Sequence, residues 1–369
     1  MRKNIQYKKL GDICDFISGG TPSKSKIEYW KDGKIPWIKI SDFKKKYIKI
    51  SDEKITKSGL ENSSAKILKK GTILYTIFAS VGKVAILDIE ATTNQAIVGI
   101  DLKENNLLDK DFLYYFLCSI ENNIKKQARG VAQNNINISI LKNISIPILS
   151  ISLQKNIVKT LKKLEDILEN FKQKKLLINF LNKSLFIKFN KNGVEKQLDE
   201  VADIIMGQSP LSQSYNIDKK GLPFYQGKTE FGDMYIKESN IYCNSPIKIA
   251  EKNDILMSVR APVGDVNIAI HKSCIGRGLA SIRAKKIDYL YLFYLLKEQK
   301  TRIEKMGVGS TFKAINKNNI SSLKMSIVEM NKQNKIKKYL ILTEKLSFNI
   351  SLDIFKISEI LKKKGVESN

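Results

Sequence analysis

Apolar residues along the chain follow two spacings, one typical of strands and one typical of helices. Short β-rich runs at residues 72–78, 84–88 and 97–102 are bounded by Gly, Asn and Ser, as strands in proteins usually are. Helical spacing follows at about residues 109–128, and again at about residues 287–306. The pattern therefore predicts an α+β fold, with one helix after each set of strands.

Two longer stretches have heptad-like spacing. Residues 152–189 contain no Gly or Pro, and their apolar stripe consists of Ile157, Leu161, Leu164, Leu168, Phe171, Ile178 and Leu185. A similar stripe in residues 331–364 consists of Ile336, Leu340, Ile350, Ile354, Ile357 and Leu361. Such sustained spacing predicts coiled-coil seams, in helices about 50 Å long.

An alternative is that these are amphipathic helices packed only on their own domains. Their length argues against this, because a compact domain of about 140 residues is only about 30–40 Å across. Two long helices, one after each set of strands, pair most simply with each other. We therefore expect an antiparallel two-helix coiled coil that holds two domains apart.

The chain also contains an internal repeat. Residues 10–22, LGDICDFISGGTP, match residues 198–210, LDEVADIIMGQSP, position by position. Further matches follow in the same order: IPW at 35–37 with LPF at 222–224, VG at 81–82 with VG at 263–264, and NQA at 94–96 with GRG at 276–278. This is a tandem duplication. We predict repeated domains at residues 1–150 and 191–330, and spacer helices at residues 151–190 and 331–364.

Length and composition limit the class of protein. A chain of 369 residues with 43% hydrophobic residues can form two or three folded domains, so wholesale disorder is excluded. The sequence has no apolar run long enough to span a membrane, and no apolar stretch follows the basic N-terminus as in a secretory signal. We therefore expect a cytoplasmic protein without a membrane partner.

The net charge of +27 is only partly informative about function. Lys, Ile and Asn are abundant together while Arg is scarce, as in proteins from AT-rich genomes, so some of this charge is compositional. A folded protein this basic should nevertheless bind nucleic acid at low salt through counterion release. The charge therefore favours a nucleic-acid partner.

Few residues are available for chemistry. Because the chain has a single histidine, His271, a multi-histidine metal site is ruled out. We expect His271 to be an ordinary residue near the end of a strand. The four cysteines lack Cys-x-x-Cys spacing, which favours buried free thiols over metal ligands. The sequence has no Asn/Asp-Pro-Pro-aromatic methyltransferase motif and no Walker loop. We therefore predict no catalytic residue, no metal site and no cofactor in this chain.

The order of the motifs resembles the specificity subunit of type I restriction–modification systems. Leu-Gly-Asp-x-x-x-Phe-x-x-Gly-Gly-Thr-Pro is followed by Ile-Pro-Trp-Ile, a Val-Gly-Lys loop and a Gly…Gln-x-Asn-Ile loop at residues 130–136. Pro147 and a Gln-Lys-x-Ile helix start come next, and the second half repeats the set in weaker form. The resemblance covers nearly the whole chain.

The resemblance implies a non-catalytic protein whose two repeats are target-recognition domains reading double-stranded DNA. It further implies that two modification subunits dock on the coiled coil and methylate adenine with S-adenosylmethionine. Restriction subunits would add translocation and cleavage, with ATP and Mg as their cofactors. Domains held about 40–50 Å apart would span about 12–15 base pairs, so we expect a bipartite, asymmetric site.

Base readout requires polar side chains on rigidly held loops. In the first domain the candidates are Thr21, Ser23, Lys24, Lys39, Ser41, Ser80, Lys83, Gln95, Arg129, Gln133 and Asn135. In the second domain they are Gln208, Ser209, Gln226, Lys228, Arg260, Arg277, Ser310, Thr311 and Lys313. Arg260 and Arg277 stand out, because Arg suits a bidentate contact to guanine and this composition avoids it.

Three other functions are open on the sequence alone. A scaffold or anti-restriction decoy would bind the modification subunits without reading DNA, and its loops should lack Arg, Gln and Asn. An RNA-binding protein should carry stacking aromatic residues in its loops, whereas Tyr114, Tyr115 and Phe116 occupy apolar periodic positions. A specificity subunit of a system that only methylates would look the same as one with a nuclease partner.

Overall fold

The computed structural model describes residues 5–104, 106–128, 135–307 and 314–363. The chain divides into two compact units: unit 1 comprises Met1–Gln173 with Ser351–Asn369, and unit 2 comprises Lys174–Ile350. The division passes through both long helices. Each unit therefore contains one repeated domain and a part of each long helix.

Unit 1 begins with the first repeated domain. Its strands are β1 (Gln6–Lys9), β2 (Cys14–Ser18), β3 (Ile35–Ile38), β4 (Tyr47–Ile48), β5 (Glu53–Ile55), β6 (Ile73–Thr76), β7 (Val84–Leu87), β8 (Thr92–Thr93), β9 (Ile97–Leu102) and β10 (Ser145–Ile148). Its helices are α1 (Leu10–Ile13), α2 (Lys57–Glu61), α3 (Lys110–Ser119), α4 (Glu121–Ala128) and α5 (Ile138–Lys142), and 3-10 turns occur at Ile27–Tyr29 and Ile40–Asp42. The long helix α6 (Ile151–Phe189) begins here and ends in unit 2.

Two sheets form the body of this domain. One has the strand order β2-β9-β6-β7-β4, the other has the order β5-β3-β8, and β1 pairs with β10 separately. Strand β9 lies between β2 and β6 and is antiparallel to both. The three strands expected at residues 72–78, 84–88 and 97–102 are confirmed as β6, β7 and β9.

Unit 2 repeats this plan. Its strands are β11 (Val194–Gln197), β12 (Ala202–Met206), β13 (Tyr215–Asn216), β14 (Leu222–Tyr225), β15 (Tyr242–Cys243), β16 (Ile249–Ala250), β17 (Ile255–Ser258), β18 (Val266–Ile268), β19 (Ser273–Ile275), β20 (Leu279–Ala284) and β21 (Lys324–Ile327). Its helices are α7 (Tyr289–Glu298), α8 (Lys300–Met306), α9 (Lys317–Ser321) and the long α10 (Met330–Lys363), with 3-10 turns at Leu198–Glu200 and Ser212–Ser214.

The sheet orders show the duplication directly. The order β12-β20-β17-β18 in unit 2 matches β2-β9-β6-β7 in unit 1. The parallel pair β14 and β19 matches the parallel pair β3 and β8. The predicted tandem repeat of an α+β domain is therefore confirmed.

Each domain is attached to a long helix through a buried glutamine. In unit 1, the Gln154 amide donates to the carbonyl groups of Leu107 (3.0 Å) and Leu149 (2.8 Å), and it accepts from the Asp109 N–H (2.7 Å). In unit 2, Gln333 accepts from the Asp288 N–H at 3.0 Å. This attachment gives hydrogen-bond partners to backbone groups in the partly buried junction between domain and helix.

The long helices run antiparallel. Helix α6 has 39 residues and α10 has 34, which gives lengths of about 58 and 51 Å. In unit 1 the core contains Leu161 from the start of α6 and Leu361 from the end of α10. In unit 2 it contains Phe186 from the end of α6 and Ile336 from the start of α10. The apolar stripe predicted that Leu185 would be buried. Leu185 is only half-buried, and the neighbouring residue Phe186 is buried instead.

The prediction of a single helix after each set of strands is wrong. The expected helix at 109–128 is two helices, α3 and α4, which meet at Ile120 (φ −96°, ψ 0°). The expected helix at 287–306 is likewise α7 and α8, which meet at Gln299 (φ −82°, ψ −2°). Each break turns the second helix onto the loop that follows β6 or β17. A Cβ on Gly82 of that loop would lie 2.7 Å from Glu121 Cγ, so the packing is close.

The expectations for the thiols are confirmed. Cys14, Cys243 and Cys274 are buried, Cys118 is half-buried, and all four are free. Burial raises the pKa of Cys14 and of Cys274 to about 12. In the described part of the chain, no helix is long and apolar enough to cross a membrane.

Candidate nucleic-acid interface

The ends of several strands of unit 1 lie at one edge, and most of the candidate residues follow them. Ser18 at the end of β2 pairs with Val98, and Thr76 at the end of β6 pairs with Ile97 at the start of β9. The loops at residues 19–24, 77–83 and 94–96 therefore begin at the same edge of the sheet. We call this the reading edge of unit 1.

Hydrogen bonds hold the first of these loops against its neighbours. The Gly20 N–H donates to the Thr93 carbonyl (2.8 Å), and the Trp37 indole N–H donates to the Gly20 carbonyl (2.9 Å). The Thr21 hydroxyl donates to the side-chain oxygen of Gln95. Two candidates predicted from separate parts of the sequence are thus in direct contact.

Two lysines of this edge share a carboxylate. Glu53 Oε2 lies 2.6 Å from Lys24 Nζ, and its Oε1 lies 2.5 Å from Lys39 Nζ. Lys24 Nζ also lies 3.5 Å from the centroid of the Trp30 ring, a cation–π contact. Hydrogen bonds from Lys24 and then Lys39 hold the pKa of Glu53 below its usual range, so this carboxylate is ionised and restrains both cations.

The other described candidates of unit 1 lie on adjoining loops. Ser41 is exposed in the 3-10 turn that follows β3, and Ser80 and Lys83 are half-exposed in the loop between β6 and β7. The Ile136 N–H donates to the Ile77 carbonyl at 3.1 Å, which places Asn135 beside that loop. Ser23 is exposed in the first loop, where its hydroxyl lies 2.8 Å from that of Ser25.

Five candidates lie outside the described residues. They are Arg129, Gln133, Ser310, Thr311 and Lys313.

Unit 2 has an equivalent reading edge. The Gly207 N–H, just after β12, donates to the Leu279 carbonyl (2.9 Å), and the Gln208 N–H donates to the Ile275 carbonyl (3.0 Å). The Ile315 N–H donates to the Val259 carbonyl (3.1 Å), as Ile136 does to Ile77 in unit 1. Gln208 is exposed on the first loop of this edge.

Three candidates of unit 2 are linked through one hydroxyl. The Ser209 hydroxyl donates to Gln226 Oε1 (3.0 Å) and accepts from the Arg277 backbone N–H (3.2 Å). The side chains of Gln226 and Arg277 are exposed. The structure therefore brings together residues from the loops after β12, β14 and β19.

The charged candidates of this edge differ in their partners. Lys228 Nζ and Lys300 Nζ lie 2.5 and 2.6 Å from the Asp265 carboxylate. Burial alone would raise the pKa of Asp265, but hydrogen bonds from the two lysines outweigh it and lower that pKa. Arg260 is exposed and forms a β-bridge with Ala314. Neither its guanidinium nor that of Arg277 has a carboxylate partner among the described residues.

Sequence reasoning missed the residues that restrain the candidates. Glu53 lies 29 residues from Lys24 along the chain, and Asp265 lies 37 residues from Lys228. No local spacing connects such pairs, so the sequence held no signal for them. Nothing in the sequence indicated the cation–π contact between Trp30 and Lys24 either.

Comparison with known proteins decides the family. The family model described as the type I restriction modification DNA specificity domain matches residues 2–179 and again residues 190–348. The chain belongs to this family. The two matches correspond to the two repeated domains, so this specificity subunit carries two copies of the family's domain.

Relatives of this specificity subunit agree in length and fold. A Methanocaldococcus jannaschii protein described as the type I restriction enzyme MjaX specificity subunit is 34% identical over 91% of this chain and 85% of its own. A chain from a structural study of assembly and conformational transition in the type I system has a TM-score of 0.65 at 24% identity, covering 98% of this chain and 96% of that chain. The S subunit from M. genitalium has a TM-score of 0.58 at 20% identity, covering 100% and 98%. The two solved structures show a shared fold.

Proposed function

We propose that this specificity subunit reads a two-part, asymmetric DNA site, one part with the reading edge of each unit. The observation that carries this proposal is that equivalent strand ends present different polar side chains in the two domains. Gln95 in the loop after β8 stands where Arg277 stands after β19 in the repeat. Gln suits adenine and Arg suits guanine in the major groove, so the two parts of the site should differ.

The lysines of each edge serve a second purpose in this proposal. Lys24, Lys39 and Lys228 are held by carboxylates at the reading edges. Phosphate contacts from such cations fix the register of a protein on the duplex without carrying sequence information. The lysines therefore position the duplex, while the amide and guanidinium groups discriminate between bases.

The chemistry belongs to partner chains in this proposal. Two modification subunits would methylate adenine with S-adenosylmethionine, and restriction subunits would translocate and cleave DNA with ATP and Mg. The chain itself contributes recognition in the cytoplasm and holds none of these cofactors. The sequence support is the absence of methyltransferase and Walker motifs from its 369 residues.

Selection from random duplexes tests the proposal. The full chain, purified with its modification subunits, is mixed with a random DNA library at physiological salt, and the retained molecules are sequenced. We expect two short, different blocks separated by a spacer of fixed length. A stable complex that retains DNA without any base preference would instead support the scaffold or decoy function.

A further inference from the structure

The turn that follows β2 in unit 1, and the equivalent turn that follows β12 in unit 2, is fixed against a neighbouring loop. A Cβ on Gly19 would lie 2.0 Å from the Asn94 carbonyl oxygen, and a Cβ on Gly207 would lie 2.2 Å from the Gly276 carbonyl oxygen. These approaches leave no room for a side chain. The hydroxyl-bearing residue two positions later is therefore held in place at the reading edge of each unit.

That hydroxyl donates to a glutamine side-chain oxygen in both domains. Thr21 donates to Gln95 Oε1, and Ser209 donates to Gln226 Oε1 at 3.0 Å. The two glutamines do not correspond in the repeat, because Gln95 follows β8 whereas Gln226 follows β14. Equivalent hydroxyls in the two domains thus donate to glutamines from different loops. Descent of both contacts from a single contact that existed before the duplication does not explain this difference.

The contact in unit 2 has further support. A Cβ on Gly276 would lie 2.4 Å from Gln226 Oε1, so the glutamine side chain packs directly on this glycine. The Ser209 hydroxyl is itself held, since it accepts from the Arg277 N–H at 3.2 Å. Gln226 therefore lies between a fixed hydroxyl and a surface that only glycine provides.

The contact with the hydroxyl affects how the glutamine amide can be oriented. The terminal torsion of a glutamine is broad and roughly two-fold, its oxygen accepts, and its NH₂ group donates. In both domains the hydroxyl donates to Oε1, which corresponds to one of the two amide orientations. In unit 2 the Ser209 hydroxyl already accepts from the Arg277 N–H, which favours its role as the donor to Gln226. The NH₂ group is then left to donate, and Oε1 keeps a second lone pair with which it can accept. This is the donor and acceptor pair that matches an adenine edge.

We infer that Thr21 and Ser209 are positioning residues that orient Gln95 and Gln226 for base readout and do not themselves contact a base. The inference rests on the proposed function, because it needs DNA at the reading edges. It assigns one glutamine to each half-site, from a different loop in each domain.

A double-mutant cycle tests the inference. The full chain in complex with its modification subunits methylates duplexes in which each base pair of the site is substituted in turn. We expect Thr21→Val and Gln95→Ala each to lose about tenfold in discrimination at the same base pair. The double variant should be no worse than Gln95→Ala, and Thr21→Ser should keep the wild-type preference.

The half-site of unit 2 is the internal control, since Thr21→Val should leave its preferences unchanged. Ser209→Ala, Ser209→Thr and Gln226→Ala form the equivalent set for that half-site. This set decides the matter if Thr21→Val fails to assemble with its partners.

Three results would overturn the inference. Additive losses in the double variant would mean that Thr21 contacts DNA directly, and loss at different base pairs would mean the same. Unchanged discrimination in Thr21→Val would mean that the hydroxyl has no role in readout. A wild-type complex without base preference would contradict the proposed function itself, which is a distinguishable outcome.

Discussion

Replacing Glu53 by Gln should make DNA binding by unit 1 stronger and less selective. Glu53 lies at the start of β5, beside the end of β3, and its carboxylate holds Lys24 and Lys39 at 2.6 and 2.5 Å. The substitution keeps the size of the side chain and removes its charge. Both ammonium groups then lose the carboxylate that offsets part of their charge, so they neutralise DNA phosphates more fully.

The size of the effect follows from the number of cations released. Each phosphate neutralised adds about 0.9 to the slope of log K against log salt concentration. Two released lysines should therefore steepen this slope by up to about 1.8, which is about a tenfold greater loss of affinity between 50 and 200 mM salt. The fold should tolerate the change, since ion pairs of groups this exposed contribute at most about 1 kcal/mol each.

Fluorescence anisotropy with specific and scrambled duplexes, over a range of salt concentrations, measures this slope. Asp88→Asn is the matched control, because Asp88 also lies near two lysines, Lys70 at 2.8 Å and Lys49 at 3.9 Å. Asp88 directly follows β7 at the edge opposite the reading edge, so its substitution should change the slope little. Equal slopes for wild type and Glu53→Gln would refute the reasoning, as would equal effects of the two substitutions.

Three further predictions concern single groups. Arg277→Lys should weaken preference at one base pair of the second half-site by about 1–3 kcal/mol, measured as methylation rates on substituted duplexes, and should leave the first half-site unchanged. Gln154→Leu removes the hydrogen bonds to three partly buried backbone groups and should lower the free energy of unfolding by about 3 kcal/mol in urea denaturation, whereas Gln173→Leu at an exposed helix position should not. Because burial raises the thiol pKa of Cys14 and Cys274 to about 12, iodoacetamide should alkylate them at pH 8 only as fast as the chain unfolds; rapid labelling of the native protein would contradict their burial.

Much of the fold was accessible from the sequence because its signals are local or repeated. Strand β9 lies at Ile97–Leu102, where its apolar run had placed it. The long helices were visible because heptad spacing persists over many turns. The helix break at Ile120 was missed, since Phe116, Ile120 and Ile124 keep helical spacing through it and no Gly or Pro lies in residues 109–128.

The sequence was enough to predict which loops form the candidate site, but not which of their side chains contact one another. Pairing of the repeats brought Thr21 and Ser209 to equivalent positions, yet nothing in the sequence indicated that their hydroxyls hold glutamines from different loops. The partnership of Lys39 with Glu53 was equally hidden. Such contacts join residues far apart in the chain, and their geometry depends on strand register that one sequence does not reveal.

The methylome tests the central claim most directly. The chain is co-expressed with its modification subunits in a host without DNA methylation, and methylated adenines are mapped by sequencing. The account predicts one bipartite motif with two different halves around a spacer of fixed length, methylated in both halves. A single continuous palindromic motif would contradict it, and so would a stable complex that leaves no motif.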